Sequence, residues 1–216
     1  MTASPLQARL DAAFDGLPLV AILRGLKPEE AEPVATALYE AGFRLIEVPL
    51  NSPQPFDSIK AIRRLLPQDA LVGAGTVLQA ADVGRLADLG AELVVMPHAD
   101  TVVISAAAKA GLLCTPGVAT PTEAFAALAA GAAALKIFPA ELVGPNVIKA
   151  MRAVLPGGTR LLPVGGITPD NMAPFLEAGV AGFGLGSALF KPGMTAADVA
   201  TRANRFNAAW RALRPN

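Results

Sequence analysis

The chain has 216 residues, 53% apolar and 17% charged, with 18 basic and 18 acidic side chains and no net charge. A large core is therefore available and disorder is not expected, while a neutral chain without basic runs argues against nucleic acid and against an anionic membrane surface as partners. One cysteine, Cys114, and one histidine, His98, leave no pair for an intrachain disulfide and no basis for a thiolate or imidazole metal site.

Residues Met1 to Asp15 lack a basic segment followed by an apolar core, so no signal peptide is expected, and no charge-free apolar run is long enough to span a bilayer. A cytoplasmic protein is the expectation. Within that stretch Leu6, Leu10 and Phe14 share one face of a short amphipathic helix. Leu19 to Leu23 then reads as a fully buried strand ending at Arg24-Gly25. Pro28-Glu29-Glu30 opens a helix, with proline in the first turn and acids beside it, and Gly42 stops it. This alternation continues to the end of the chain. The predicted strands are Leu19–Gly25, Leu45–Asn51, Leu71–Val77, Leu93–His98, Leu112–Val118, Ala134–Ala140, Arg160–Gly166 and Gly182–Ala188. Helices are expected to stop at Gly42, Pro67, Gly90, Gly111, Gly131, Pro156 and Gly179, at intervals of 20 to 25 residues. Eight apolar strands, each followed by a helix, predict an α/β fold of the (β/α)8 TIM barrel type with a short N-terminal helix, as a single domain over residues 1–216. An open doubly wound sheet fits less well, because no G-x-G-x-x-G follows the first strand.

In such a barrel the chemistry lies where the strands end. Of six lysines, Lys136 alone falls in an apolar strand, Ala134-Leu-Lys-Ile-Phe-Pro139. Desolvation lowers the pKa of an ammonium, and a neutral lysine attacks ketones to form a Schiff base. A solvent-reaching lysine at a strand end is the plain structural alternative. Glu47 is the carboxylate predicted to lie inside an apolar strand, with Leu45 and Pro49 on its face and Ile46, Val48 and Leu50 on the other. A buried carboxylate must be paired or perturbed. Glu47 is therefore read either as a packing ion pair with Arg24 or Lys136, or as part of a site that all three share.

Gly165-Gly166 at the end of strand seven and Gly186-Ser187 at the end of strand eight match the two loops that commonly bind phosphate in this fold. They could equally serve only as tight turns. Thr76 is placed to bind a substrate carboxylate or to cap the next helix; His98 could meet substrate hydroxyls or simply be exposed. Cys114 is expected in the core.

These segments carry a resemblance. Pro18-Leu-Val-Ala-Ile-Leu-Arg-Gly25, Ile46-Glu-Val-Pro-Leu-Asn-Ser-Pro53, Val72-Gly-Ala-Gly-Thr-Val77, Ala134-Leu-Lys-Ile-Phe-Pro139 and Val164-Gly-Gly-Ile-Thr-Pro169 resemble, collinearly, the 2-keto-3-deoxy-6-phosphogluconate/galactonate aldolase family. The resemblance implies a class I lyase on a (β/α)8 barrel, independent of metal and without a cofactor, generally trimeric, acting on a phosphorylated 2-keto-3-deoxy sugar acid. It implies Lys136 as the Schiff-base lysine and Glu47 as the general acid/base. It implies Arg24 and Thr76 near the pyruvyl portion, and Gly165, Gly166, Gly186 and Ser187 around the phosphate; Phe138, at the end of strand six, is expected among the substrate-binding residues. Pro49-Leu50-Asn51-Ser52 and Val164 depart from the gluconate pattern and resemble the galactonate branch. The alternatives are the C4-epimeric gluconate, a phosphosugar isomerase or transferase on the same barrel, and a phosphate-binding barrel without activity.

Overall fold

The computed structural model describes residues 4–214. Its strands are β1 (Leu19–Ile22), β2 (Leu45–Pro49), β3 (Leu71–Gly75), β4 (Leu93–Val95), β5 (Leu113–Thr115), β6 (Gly117–Val118), β7 (Leu135–Ile137), β8 (Leu161–Pro163) and β9 (Phe183–Leu185). Every pairing is parallel, in the orders β5-β4-β3-β2-β1-β9 and β6-β7-β8. A bridge between Val164 and Gly184 joins the two groups on one side, and the chain itself joins β5 to β6 on the other. The result is the predicted closed (β/α)8 barrel.

The fifth predicted strand is split at Pro116, whose nitrogen has no hydrogen to donate to a ladder. Its carbonyl still accepts from the Lys136 amide at 2.9 Å, so the barrel wall stays continuous there. The other strands stop two or three residues short of the expected ends, because the short βα loops must turn at once. After β1, for example, the Leu23 amide still bonds to the Glu47 carbonyl at 2.9 Å, but Gly25 has already entered the left-handed region at φ 82°. Arg24, Thr76 and Ser187 consequently lie on loops, while Glu47 and Lys136 lie within strands.

Helix starts follow the expected chemistry. In α2 (Pro28–Glu40) proline occupies the first turn and the Glu30 carboxylate accepts from the Lys27 amide at 3.0 Å. The glycines expected to stop helices at 42, 90, 111, 131 and 179 all have positive φ, the conformation of a helix-ending residue without a Cβ.

Two layers of core result. Ile46 and Val48 face outward, among the residues packed between strands and helices, while Leu45 faces the barrel axis. The axial layer also contains Val20, Leu71, Leu93, Leu113 and Leu162, and it is closed from below by Leu10, Ala13 and Phe14 of α1 (Pro5–Gly16). The helix predicted from Leu6, Leu10 and Phe14 thus plugs the N-terminal end of the barrel. It is fastened there by Arg9, which with Arg63 binds the buried carboxylate of Glu92; the Arg63 bond is 2.7 Å. Among the described residues no helix is long and apolar enough to cross a membrane.

Candidate active site

One step up the axis from the leucine layer, the interior turns polar at two points. Glu47 of β2 is 2% exposed and Lys136 of β7 is 5% exposed. The floor beneath Lys136 is apolar: Ile22, Val95, Leu162 and Val164 surround a void of about 30 Å³. The Phe138 ring lies beside the amine, its centroid 4.5 Å from Nζ. Burial holds the Lys136 amine below the usual lysine range; the nearby Glu47 carboxylate opposes this, and the Arg24 guanidinium reinforces it.

Glu47 is perturbed in the other direction. Burial pushes its carboxyl up to about 7, against the pull of Lys136 and Arg24. No ion pair within 4.0 Å ties it to either cation among the described residues, and its Oε2 is buried without a hydrogen-bond partner. The packing ion pair weighed from the sequence is therefore not what the structure contains. Glu92 provides the contrast. It is also buried, at the opposite end of the barrel, but two guanidinium groups pair with it. One acid is spent on structure; the other is left with a proton that neutral pH can add or remove.

Above this pair the barrel opens into a cleft of about 790 Å³. Of the residues singled out from sequence, Arg24, Lys136, Phe138, Gly165, Gly166, Gly186 and Ser187 line it. Glu47 lies deeper, coupled to the cleft through Lys136 and Arg24. Thr76 does not line the cleft. It follows Gly75 with φ 54°, a left-handed conformation unusual for a β-branched residue, and the N-cap of the next helix, α4 (Ala80–Asp88), is Gln79. Strain of this kind costs about 1–3 kcal/mol and concentrates at functional sites. His98 is exposed and also outside the cleft lining. Cys114 is core as expected, its thiol pushed up to about 12 by burial and 3.7 Å from the Met96 sulfur.

Sequence reasoning missed three charged groups in the cleft. Glu141, in the first turn of α7 (Ala140–Arg152), lies so close to the Gly165-Gly166 loop that a Cβ on Gly165 would stand 2.2 Å from its Oε2. Both glycines also have positive φ, 111° and 64°. Arg202 of α9 (Ala196–Leu213) donates to the carbonyls of Ser187 (3.2 Å) and Ala188 (3.4 Å), and Lys191 follows in the same loop region. Glu141 looked like an ordinary helix-start acid, and Arg202 like one of many exposed helical arginines. No local pattern marks either as facing a loop built by another part of the chain.

The site can hold a phosphorylated molecule by one end and a carbonyl carbon by the other. At one end lie the glycine loops with Lys191, Arg202 and the Glu141 carboxylate, and at the other a perturbed amine with a titratable carboxyl.

A family model described as "KDPG and KHG aldolase" matches residues 10–204. The chain is 55% identical over 196 residues to a Rhizobium meliloti (strain 1021) protein named "Probable 2-dehydro-3-deoxy-6-phosphogalactonate aldolase", covering 91% of this chain and 92% of that one. It is 49% identical over 195 residues to the Escherichia coli (strain K12) 2-dehydro-3-deoxy-6-phosphogalactonate aldolase, covering 90% and 95%. A solved structure described as native KDPGal superposes with a TM-score of 0.90 at 48% identity, over 91% of this chain and 96% of that one.

Proposed function

The chain belongs to the KDPG and KHG aldolase family, and we propose that it cleaves 2-dehydro-3-deoxy-6-phosphogalactonate to pyruvate and D-glyceraldehyde 3-phosphate through a Schiff base on Lys136. The observation that carries the residue assignment is the buried pair: an amine held below the ordinary lysine range beside a carboxyl raised to about 7 with no structural partner.

The free amine of Lys136 attacks the C2 ketone. Protonated Glu47 gives its proton to the departing hydroxyl of the carbinolamine, and water leaves with formation of a protonated imine. The electrons of the C3–C4 bond then move into that imine. Glu47, now a carboxylate, takes the proton of the C4 hydroxyl, and the aldehyde departs with its phosphate. The remaining enamine is protonated at C3, and water hydrolyses the imine to pyruvate and free Lys136. A carboxyl titrating near 7 is half-ionised at neutral pH, so it can serve as acid and base in turn. The Phe138 face stabilises cationic nitrogen intermediates where solvent is excluded.

The assignment of the C4 configuration is tested by comparing kcat/KM for the two C4 epimers. The galactonate is expected to be preferred; a clear preference for the gluconate overturns it. The phosphate end is tested with Ser187→Asp. This position is exposed, so the added carboxylate leaves the fold intact and repels the dianion. KM for the phosphorylated substrate is expected to rise by about tenfold or more, with borohydride trapping of pyruvate unchanged; equal loss for both ligands would put the phosphate elsewhere. Gly165 is the poorer site for this test, because its positive φ and the Glu141 contact strain any side chain there.

Phe125 of α6 (Pro121–Ala129) and Leu142 and Val147 of α7 are large apolar side chains left exposed on neighbouring helices, which supports a homotrimer in solution. A monomer mass by light scattering would contradict it. A phosphorylated sugar-acid substrate and a single buried thiol support a cytoplasmic setting.

A further inference from the structure

We propose that Gly75 is the positioning residue for Glu47: the space left by its missing side chain is the slot in which the Glu47 carboxylate sits. A Cβ at Gly75 would stand 1.9 Å from Glu47 Oε2 and 2.4 Å from Oε1. The two residues come from adjacent strands, with Glu47 opposite Gly73 and Pro49 opposite Gly75, so the carboxylate reaches along the barrel axis over the next inward-facing position. The inference rests on the reading of Glu47 as the proton carrier.

The backbone gives Gly75 no other reason to be glycine. It is a regular strand residue, not among the positive-φ glycines. What a side chain there would meet is the movable end of a glutamate. Gly73, two residues earlier, differs: a Cβ there would stand 2.0 Å from the Leu93 carbonyl oxygen, which is backbone and cannot yield. Of these two glycines on one strand, one makes room for the barrel wall and the other makes room for a functional group.

With alanine at 75 the carboxylate must leave its slot. The layer below is filled with leucine, so the open direction is up, toward the cleft and water. There the burial that keeps the acid protonated near neutrality is lost. The charged groups facing Glu47, Lys136 from β7 and Arg24 from the loop after β1, both then favour the ionised form. A displacement on the order of 1 Å from productive geometry can cost about 10²-fold in rate.

The test uses the full chain with Gly75→Ala, Gly73→Ala, Glu47→Gln and the double variant Gly75→Ala/Glu47→Asp. Gly75→Ala is expected to melt cooperatively near the parent temperature and to trap pyruvate on Lys136 with borohydride. It is also expected to lose about 10²-fold in kcat with little change in KM, and to move the pH–rate limb near 7 to lower pH. Gly73→Ala is expected to lose its cooperative fold. Shortening the acid by one methylene relieves the contact, so the double variant should be more active than Gly75→Ala alone. A Gly75→Ala protein with parental kcat and pH profile overturns the proposal, as does one that unfolds like Gly73→Ala. If Glu47→Gln keeps normal turnover, the reading of Glu47 as proton carrier fails instead, and the proposal falls with it.

Discussion

Lys136→Met is expected to yield a folded protein that neither turns over substrate nor traps pyruvate under borohydride. Methionine keeps the length and volume of the stem without the amine, so the apolar floor below and the Phe138 ring beside it keep their contacts. Loss of the nucleophile removes the covalent route altogether, and turnover is expected to fall to the uncatalysed background. In the parent, reduction with pyruvate is expected to add one pyruvyl group, and peptide mapping should place it on Lys136. The structure identifies the rival that mapping must exclude: Lys191 also lines the cleft, on its exposed rim. A label there, or a turning-over Lys136→Met enzyme, would refute the assignment. Stability moves in the opposite direction. The Lys136 pKa is lowered on folding, so the unfolded chain binds more protons between that lowered value and 10.5. The cost of burying the ammonium is fully present below this window and gone above it. Lys136→Met should therefore gain stability over the parent at pH 7, and the gain should vanish as pH approaches 10.5 in calorimetric melts.

Glu47→Gln is expected to have the second largest effect. It keeps the volume and removes the exchangeable proton, and kcat is expected to fall by about 10²-fold or more. Hydrogen exchange at the methyl group of pyruvate should collapse with it, while slow imine formation on Lys136 survives. Near-normal turnover and exchange in a folded variant would sink the proton-carrier role. The accompanying stability change separates this acid from a structural one. The folded-state value near 7 lies above the ordinary carboxyl value of 4.5, so the folded protein holds more protons between the two, and parental stability falls as pH rises through that window. Above 7 the cost is on the order of 3 kcal/mol. Glu47→Gln escapes it, so its melting temperature should match the parent near pH 4 and exceed it above pH 7. A variant destabilised at pH 8 would mean that the carboxylate is engaged in a favourable ion pair. The same experiment on Glu92, clasped between Arg9 and Arg63, should give that destabilising outcome.

The barrel was legible because its parallel strands are buried on both faces and its helices end at left-handed glycines, signals that depend only on neighbouring residues. Pro116 broke one strand into two, a detail that a run of apolar residues conceals. Lys136 and Glu47 could be found because a charge in an apolar strand has nowhere to go but the barrel axis. Glu92 escaped notice although it too is buried, since it sits one residue before β4 begins, where acids usually meet water. Arg202 and Glu141 could not be assigned from sequence, because what they touch was built by loops distant in the chain. Thr76 was seen as a candidate, but its left-handed backbone was not, since a β-branched residue is the last expected to adopt it.

The N-terminal helix gives the reaction a dependence on the far end of the molecule. Lys136 stays dry from beneath only while Leu10 and Phe14 act as a stopper in the barrel's lower opening. Without α1 over that opening, water entering from below would solvate the amine and return it toward an ordinary, protonated lysine. Substitutions that loosen Arg9 from Glu92 would then register as slower imine formation with a higher pH optimum, although they lie on the face opposite to any ligand. An affinity tag, a truncation or a drifted residue at this end is thus a change in the medium in which the nucleophile works.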